Sequence, residues 1–141
     1  MPEQKQREAE LVMDVIRLHN QILKRAGGAL SVHGLGLSEY LVLNQLSKAS
    51  NQSMRRIDLA EQIGLSPSGV TRLLNPMVKV GLIEKQNNPR DARVSLVALS
   101  ATGKRVYEEA RVSFQYASVS LFTALDEKRL QTFSELVNEI V

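Results

Sequence analysis

Residues 63–74 read Ile63-Gly64-Leu65-Ser66-Pro67-Ser68-Gly69-Val70-Thr71-Arg72-Leu73-Leu74, and this stretch decides the fold. Gly64 suits the left-handed position that closes a helix. Two residues later, Ser66 stands before Pro67. The serine oxygen can accept an orphan N–H while proline loses nothing at the first helical position, so the pair marks a new helix start. Upstream, Ile57, Leu59, Ala60 and Ile63 predict a short helix over about 55–63. Downstream, Met77, Val78 and Val80 keep apolar spacing up to Gly81. Pro76 deletes the bond to the Arg72 carbonyl, which predicts a bend in the second helix rather than its end. The result is a helix, a tight turn and a second helix within about two dozen residues.

Beyond Gly81, Leu82-Ile83-Glu84-Lys85 reads as a strand, and Val94-Ser95-Leu96-Val97-Ala98-Leu99 as its β-branched partner. Between them Gln86-Asn87-Asn88-Pro89-Arg90-Asp91-Ala92-Arg93 is polar and turn-forming, so a hairpin with a charged tip is expected. On the amino-terminal side, Leu11, Val15, Leu18 and Ile22 form one stripe and Val12, Ile16, His19 and Leu23 another. Together they predict a long helix over roughly 6–31 with a broad apolar face. Ser38 is the expected cap of a helix bearing Leu41, Val42, Leu43 and Leu46, ending near the polar run 48–53. On the carboxyl-terminal side, Ser100 is expected to cap a helix with Val106, Ala110, Phe114, Ala117 and Leu121 in line. Asp126 is expected to cap a last one with Leu130, Phe133, Val137 and Ile140. The fold class is mainly α with a small antiparallel β-wing, a winged helix-turn-helix. The apolar stripes of the end helices exceed what the centre can cover, so a second copy of the chain is expected to bury them.

Charge follows the same division. Residues 55–105 hold nine basic and four acidic side chains, whereas the flanks hold nine and eleven. A basic centre suits a polyanion. With no cysteine among 141 residues, disulfides, thiolate metal sites and thiol chemistry are excluded. The amino terminus is polar and lacks the apolar run of a signal peptide, so a cytoplasmic location and no membrane contact are expected. His19 and His33 have no second ligand at metal-binding spacing, and His19 is expected in a core or interface. Gly34-Leu35-Gly36 lacks the lysine ending of a phosphate loop. Ser66 and Ser68 have no histidine and carboxylate nearby for a triad. Neither an enzyme, a cofactor nor a metal is indicated.

The parts fit a DNA duplex. The second helix matches the width of the major groove, with its first turns nearest the base edges. Its candidate contacts are Ser66, Ser68, Gly69, Thr71, Arg72 and Asn75. Arg72 can donate twice to guanine, the hydroxyls of Ser66, Ser68 and Thr71 suit phosphate, and Gly69 allows close backbone approach. Arg90 and Arg93 on the hairpin are candidates for the minor groove, with Asp91 pairing an arginine to hold the loop in shape.

The span from Leu37 to Gly103 resembles the MarR family of bacterial transcription regulators. The resemblance rests on residues 64–74 quoted above, on Gly81-Leu82-Ile83-Glu84-Lys85 opening the wing, and on Asp91-x-Arg93 followed by Val97-x-Leu99-Ser100-x-x-Gly103. It implies a homodimer, two winged helices on a pseudo-palindromic operator, and repression relieved by a small-molecule effector. The family's wing arginine falls on Arg93, its wing aspartate on Asp91 and its recognition-helix arginine on Arg72. Residues 1–35 would then form an amino-terminal dimerisation helix, 36–100 the DNA-binding region and 101–141 the carboxyl-terminal dimerisation helices. The alternative is a winged-helix protein-interaction module that does not bind DNA, against which the basic centre counts.

Overall fold

The computed structural model describes residues 2–141. Helix α1 spans Pro2–Ser31 and α2 Leu37–Lys48. A 3-10 turn, Ser50–Gln52, leads into strand β1, Ser53–Arg55. Helices α3, Arg56–Ile63, and α4, Pro67–Lys79, follow. Strands β2, Ile83–Asn88, and β3, Asp91–Leu99, form the wing. Helices α5, Ala101–Leu121, and α6, Glu127–Ile140, complete the chain. The fold is the mainly helical winged helix-turn-helix that the sequence predicts.

Local capping accounts for most boundaries. Ser66, Ser100 and Asp126 each accept the amide three residues on, from Gly69, Gly103 and Arg129. Gly64 takes φ 74° at the end of α3, and the Leu65 amide donates back to the Ala60 carbonyl, closing the turn into α4. Helix α4 continues through Pro76 to Lys79, so proline does not stop it. The cap of α2 differs from expectation. Gly36, not Ser38, occupies it, and the Glu39 carboxylate accepts the Gly36 amide at 2.7 Å, so the helix starts before Ser38.

The sheet has the order β1-β3-β2, antiparallel throughout. Strand β1 has no counterpart in the sequence reading. Its Ser53, Met54 and Arg55 pair with Ala98, Val97 and Leu96 and moor the start of α3 to the wing. The hairpin is also longer than expected. Gln86, Asn87 and Asn88 belong to β2, and Asp91-Ala92-Arg93 to β3, leaving only Pro89 and Arg90 as the turn. Polar residues join the ladder because β3 offers them paired backbone groups, which outweighs their weak strand preference.

One core joins the winged unit to α1 and α5. Leu30, Leu43, Leu46, Leu59, Leu74, Met77, Ile83 and Val97 are fully buried in it. Ser100 and Gly103 form its tightest joint. The Ser100 hydroxyl lies 2.5 Å from the Gly81 carbonyl and 2.9 Å from that of Leu82, while accepting the Gly103 amide at 2.9 Å. At Gly103 a Cβ atom would lie 2.0 Å from the Leu82 carbonyl oxygen, so α5 meets the wing backbone directly.

The end helices are different. Every residue of α1 from Pro2 to Arg17 is exposed, including Leu11 at 60% and Val15 at 55%. Helix α6 has no buried residue, and its Phe133 packs against Phe122 in a tilted arrangement, with ring centroids 6.0 Å apart. His19 is exposed too, so it is not a core histidine of this subunit. His33 instead shares a 2.8 Å hydrogen bond with the Ser113 hydroxyl on α5. No helix among the described residues is long and apolar enough to cross a membrane.

Candidate nucleic-acid interface

Helix α4 buries Val70, Leu74 and Met77 and turns its opposite side to solvent. The exposed side carries Ser68, Arg72 and Asn75. Arg72 has no hydrogen-bond or ion-pair partner among the described residues, so its guanidinium keeps all five donors for an incoming acceptor. Asn75 follows it one turn later. The amino-terminal hydroxyls are more committed. Ser66 Oγ accepts the Gly69 amide at 3.1 Å and lies 3.2 Å from Ser68 Oγ. The Thr71 hydroxyl donates to the Pro67 carbonyl at 3.1 Å. At Gly69 a Cβ would stand 3.2 Å from Ser66 Oγ, so the missing side chain keeps the capping hydroxyl uncrowded.

The wing presents its arginines on an irregular ladder. Pairing runs evenly from Ile83 with Leu99 to Asn87 with Ser95, then jumps to Asn88 with Asp91. Three residues of β3, Ala92 to Val94, therefore bulge between paired neighbours, and Arg93 sits in the middle of them. A bulge bends its strand and re-aims the side chains it carries. Asp91 stabilises this one: its Oδ1 accepts the Arg93 amide at 3.0 Å and Arg93 Nε at 3.2 Å. Those bonds from the amide and then the guanidinium hold the Asp91 carboxyl below the ordinary carboxylate range. The clasp is therefore complete above the ordinary carboxyl pKa and is lost as pH falls through the lowered value. The Arg93 side chain is nonetheless 91% exposed, leaving its outer nitrogens free. At the tip, the Arg90 amide donates to Asn88 Oδ1 at 2.9 Å, so the fold of the turn rests on Asn88 while the Arg90 side chain projects to solvent.

Helix and wing adjoin along one surface. An open groove of about 620 Å³ is lined by Asn75, Pro76, Val78 and Lys79 of α4 and by Lys85 of β2. Lys79 and Lys85 put two cations on the groove wall. Sequence reasoning placed Asn88 in the turn-forming stretch between the strands but gave its side chain no role in the turn. It also gave no role to Arg56 on α3, whose Nη1 lies 3.5 Å from Thr71 Oγ1. Among the described residues there is no cluster of side chains able to hold a metal ion.

Residues 35–95 match the model of the MarR family. Over this span the chain is similar to the MarR family. That family consists of transcription regulators rather than enzymes. Among curated relatives, the chain is 25% identical over 143 residues to the transcriptional regulator AdcR of Streptococcus pneumoniae, covering 93% of this chain and 98% of that protein. It is 24% identical over 102 residues to YhbI of Bacillus subtilis, an uncharacterised helix-turn-helix regulator, covering 72% of this chain but only 65% of that one. A mutant MarR of Escherichia coli, crystallised with operator DNA, superposes with a TM-score of 0.86 at 20% identity over 94% of both chains. Similarity at that identity concerns the fold. Within the MarR family pattern, Gly103 and Ser100 now have a physical reason here: they let α5 seat against the Gly81 and Leu82 carbonyls.

Proposed function

We propose that this chain is a dimeric, sequence-specific DNA-binding repressor. The reading is carried by the groove between α4 and β2, lined by Lys79 and Lys85, together with an unpaired Arg72 on the exposed face of α4 and an exposed Arg93 on the clasped bulge of the wing. Helix α4 enters the major groove, where Arg72 and Asn75 meet base edges and Ser68 meets phosphate. Ser66, Gly69 and Thr71 shape the amino-terminal turn and approach the backbone. Arg90 and Arg93 follow the wing to the flanking minor groove, and Asp91 keeps Arg93 in position.

Two copies supply the symmetry. The bare half of α1 and the whole of α6 cannot stand apolar in water at this extent without a partner. An open groove of about 540 Å³ between Phe122 and α6, lined by Leu130, Phe133 and Val137 among others, is a matching recess. Pairing through α1, α5 and α6 sets the two recognition helices at a fixed separation, suited to a pseudo-palindromic operator. Residues 1–35 and 101–141 thus serve dimerisation and 36–100 DNA binding.

Release by a small-molecule effector acts at the joint between these parts. There Tyr40 of α2 stacks on Tyr107 and Phe114 of α5, with centroids 5.5 and 4.8 Å away, and Tyr107 donates to Asn44 Oδ1 at 2.8 Å. Burial, with the neighbouring Tyr107 adding, pushes the Tyr40 phenol up to about 12, so Tyr40 stays neutral. A ligand that repacks the stack moves α2, and with it α4, relative to the dimer helices. Operator affinity then falls by linkage.

The two arginines separate experimentally. Arg72→Ala is expected to flatten base preference at one position of each half-site by about 1–3 kcal/mol. Arg93→Ala is expected to weaken binding across sequences and to lower its salt dependence. Titrating matched and mismatched duplexes at several salt concentrations distinguishes them, and wild-type behaviour from both variants contradicts the docking.

A further inference from the structure

Arg56 is the first residue of α3, and its guanidinium is oddly placed. Its Nε and Nη2 atoms are enclosed and have no hydrogen-bond partner among the described residues. Its Nη1 reaches only Thr71 Oγ1, at 3.5 Å, the outer limit for such a bond. The Thr71 hydroxyl gives its proton to the Pro67 carbonyl, and its oxygen takes from Arg56 only this long contact. No acid among the described residues forms an ion pair with Arg56 either. Asp58, the acid in the first turn of α3, is held by Arg55 through contacts of 2.8 and 3.0 Å. Those contacts keep the Asp58 carboxyl below its ordinary range, committed to Arg55.

Two enclosed guanidinium nitrogens without a partner are costly, and an apolar side chain of similar length would fill the same space without that cost. The position of the residue suggests what offsets it. Arg56 reaches Thr71, early in α4 and immediately before Arg72 in the chain. In a helix-turn-helix the first helix crosses the sugar-phosphate backbone while the second enters the groove.

We infer that Arg56 is a phosphate clamp held in reserve between α3 and α4. The inference rests on the DNA-binding reading of α4. On docking, the guanidinium turns out of its cleft and takes a backbone phosphate oxygen at the amino-terminal end of the recognition helix. Guanidinium and phosphate pair bidentately, which exchanges one long contact for two charge-assisted bonds. The clamp is not sequence-selective. It sets the register in which Arg72 meets the bases.

The test uses the full chain with Arg56→Met, Arg56→Lys and, in parallel, Arg93→Ala. Each is titrated with a short mixed-sequence duplex over a range of salt, and its thermal midpoint is measured without DNA. For Arg56→Met the clamp predicts a Tm no lower than wild type. It also predicts a salt slope of log K shallower by about 0.9 for each arginine removed, roughly twice that per dimer. Arg56→Lys retains most of the slope. An unchanged slope in Arg56→Met, while Arg93→Ala still lowers it, overturns the clamp and leaves the DNA-binding reading standing. If wild type binds no duplex at any salt concentration, that reading fails and the clamp fails with it.

Discussion

Gly103→Ala is expected to destabilise the fold by about 3 kcal/mol or more, at the upper end of what overpacking costs. The added methyl would stand 2.0 Å from the Leu82 carbonyl oxygen, 3.0 Å from the carbonyl carbon and 3.0 Å from Leu99 Cδ1. Two of those neighbours are backbone atoms that no rotamer change can move. Either α5 withdraws or the wing strand does, and both are tied to Ser100. Withdrawal lengthens the bonds by which Ser100 joins the Gly81 and Leu82 carbonyls to the first turn of α5. Glycine gives way to alanine at a helical position where alanine is intrinsically favoured by about 1 kcal/mol, so propensity alone predicts the opposite sign. Chemical denaturation of the two proteins decides between these. A midpoint at or above wild type would mean that α5 does not meet the wing as described.

The second large effect concerns assembly. Leu11→Glu combined with Val15→Glu is expected to convert the proposed dimer to a monomer while leaving each winged unit folded. Both side chains are largely exposed on an isolated subunit, so the change costs the monomer little. In the dimer four such side chains lose their burial, at about 1.5–3 kcal/mol each, which raises the dissociation constant by roughly four powers of ten or more. Operator binding then loses the benefit of a linked second half-site, on the order of 10²–10⁴ in affinity. Sedimentation gives the mass, and circular dichroism confirms that the helices persist. A double variant that still sediments as a dimer would remove α1 from the interface.

Capping signals were legible because they are local. Ser66, Ser100 and Asp126 each needed only the amide three residues on. Ser38 misled because the sequence offers a hydroxyl where the structure uses Gly36 with the Glu39 carboxylate, a cap whose informative residue lies on the far side. Strand β1 was invisible because three residues carry no periodicity, and its existence depends on the edge that β3 provides. The extension of the wing through Gln86 to Asn88 has the same origin. Of the interface, residue types and their helix could be read from the sequence, but not their state. Asp91 and Arg93 were recognisable as a pair, whereas the bulge that lifts Arg93 follows from a change in ladder register. Arg56 had only its charge to offer until α4 was folded against it. The Tyr40, Tyr107 and Phe114 stack unites residues far apart in the chain.

The central claim is that two copies of α4, held by the end helices, read a symmetric DNA site. Selecting bound duplexes from a random-sequence pool with the wild-type protein tests it most directly. The account predicts enrichment of an inverted repeat whose half-site centres lie about one helical turn apart, ~34–36 Å. Recovery of a single asymmetric site, or no enrichment at all, would contradict it.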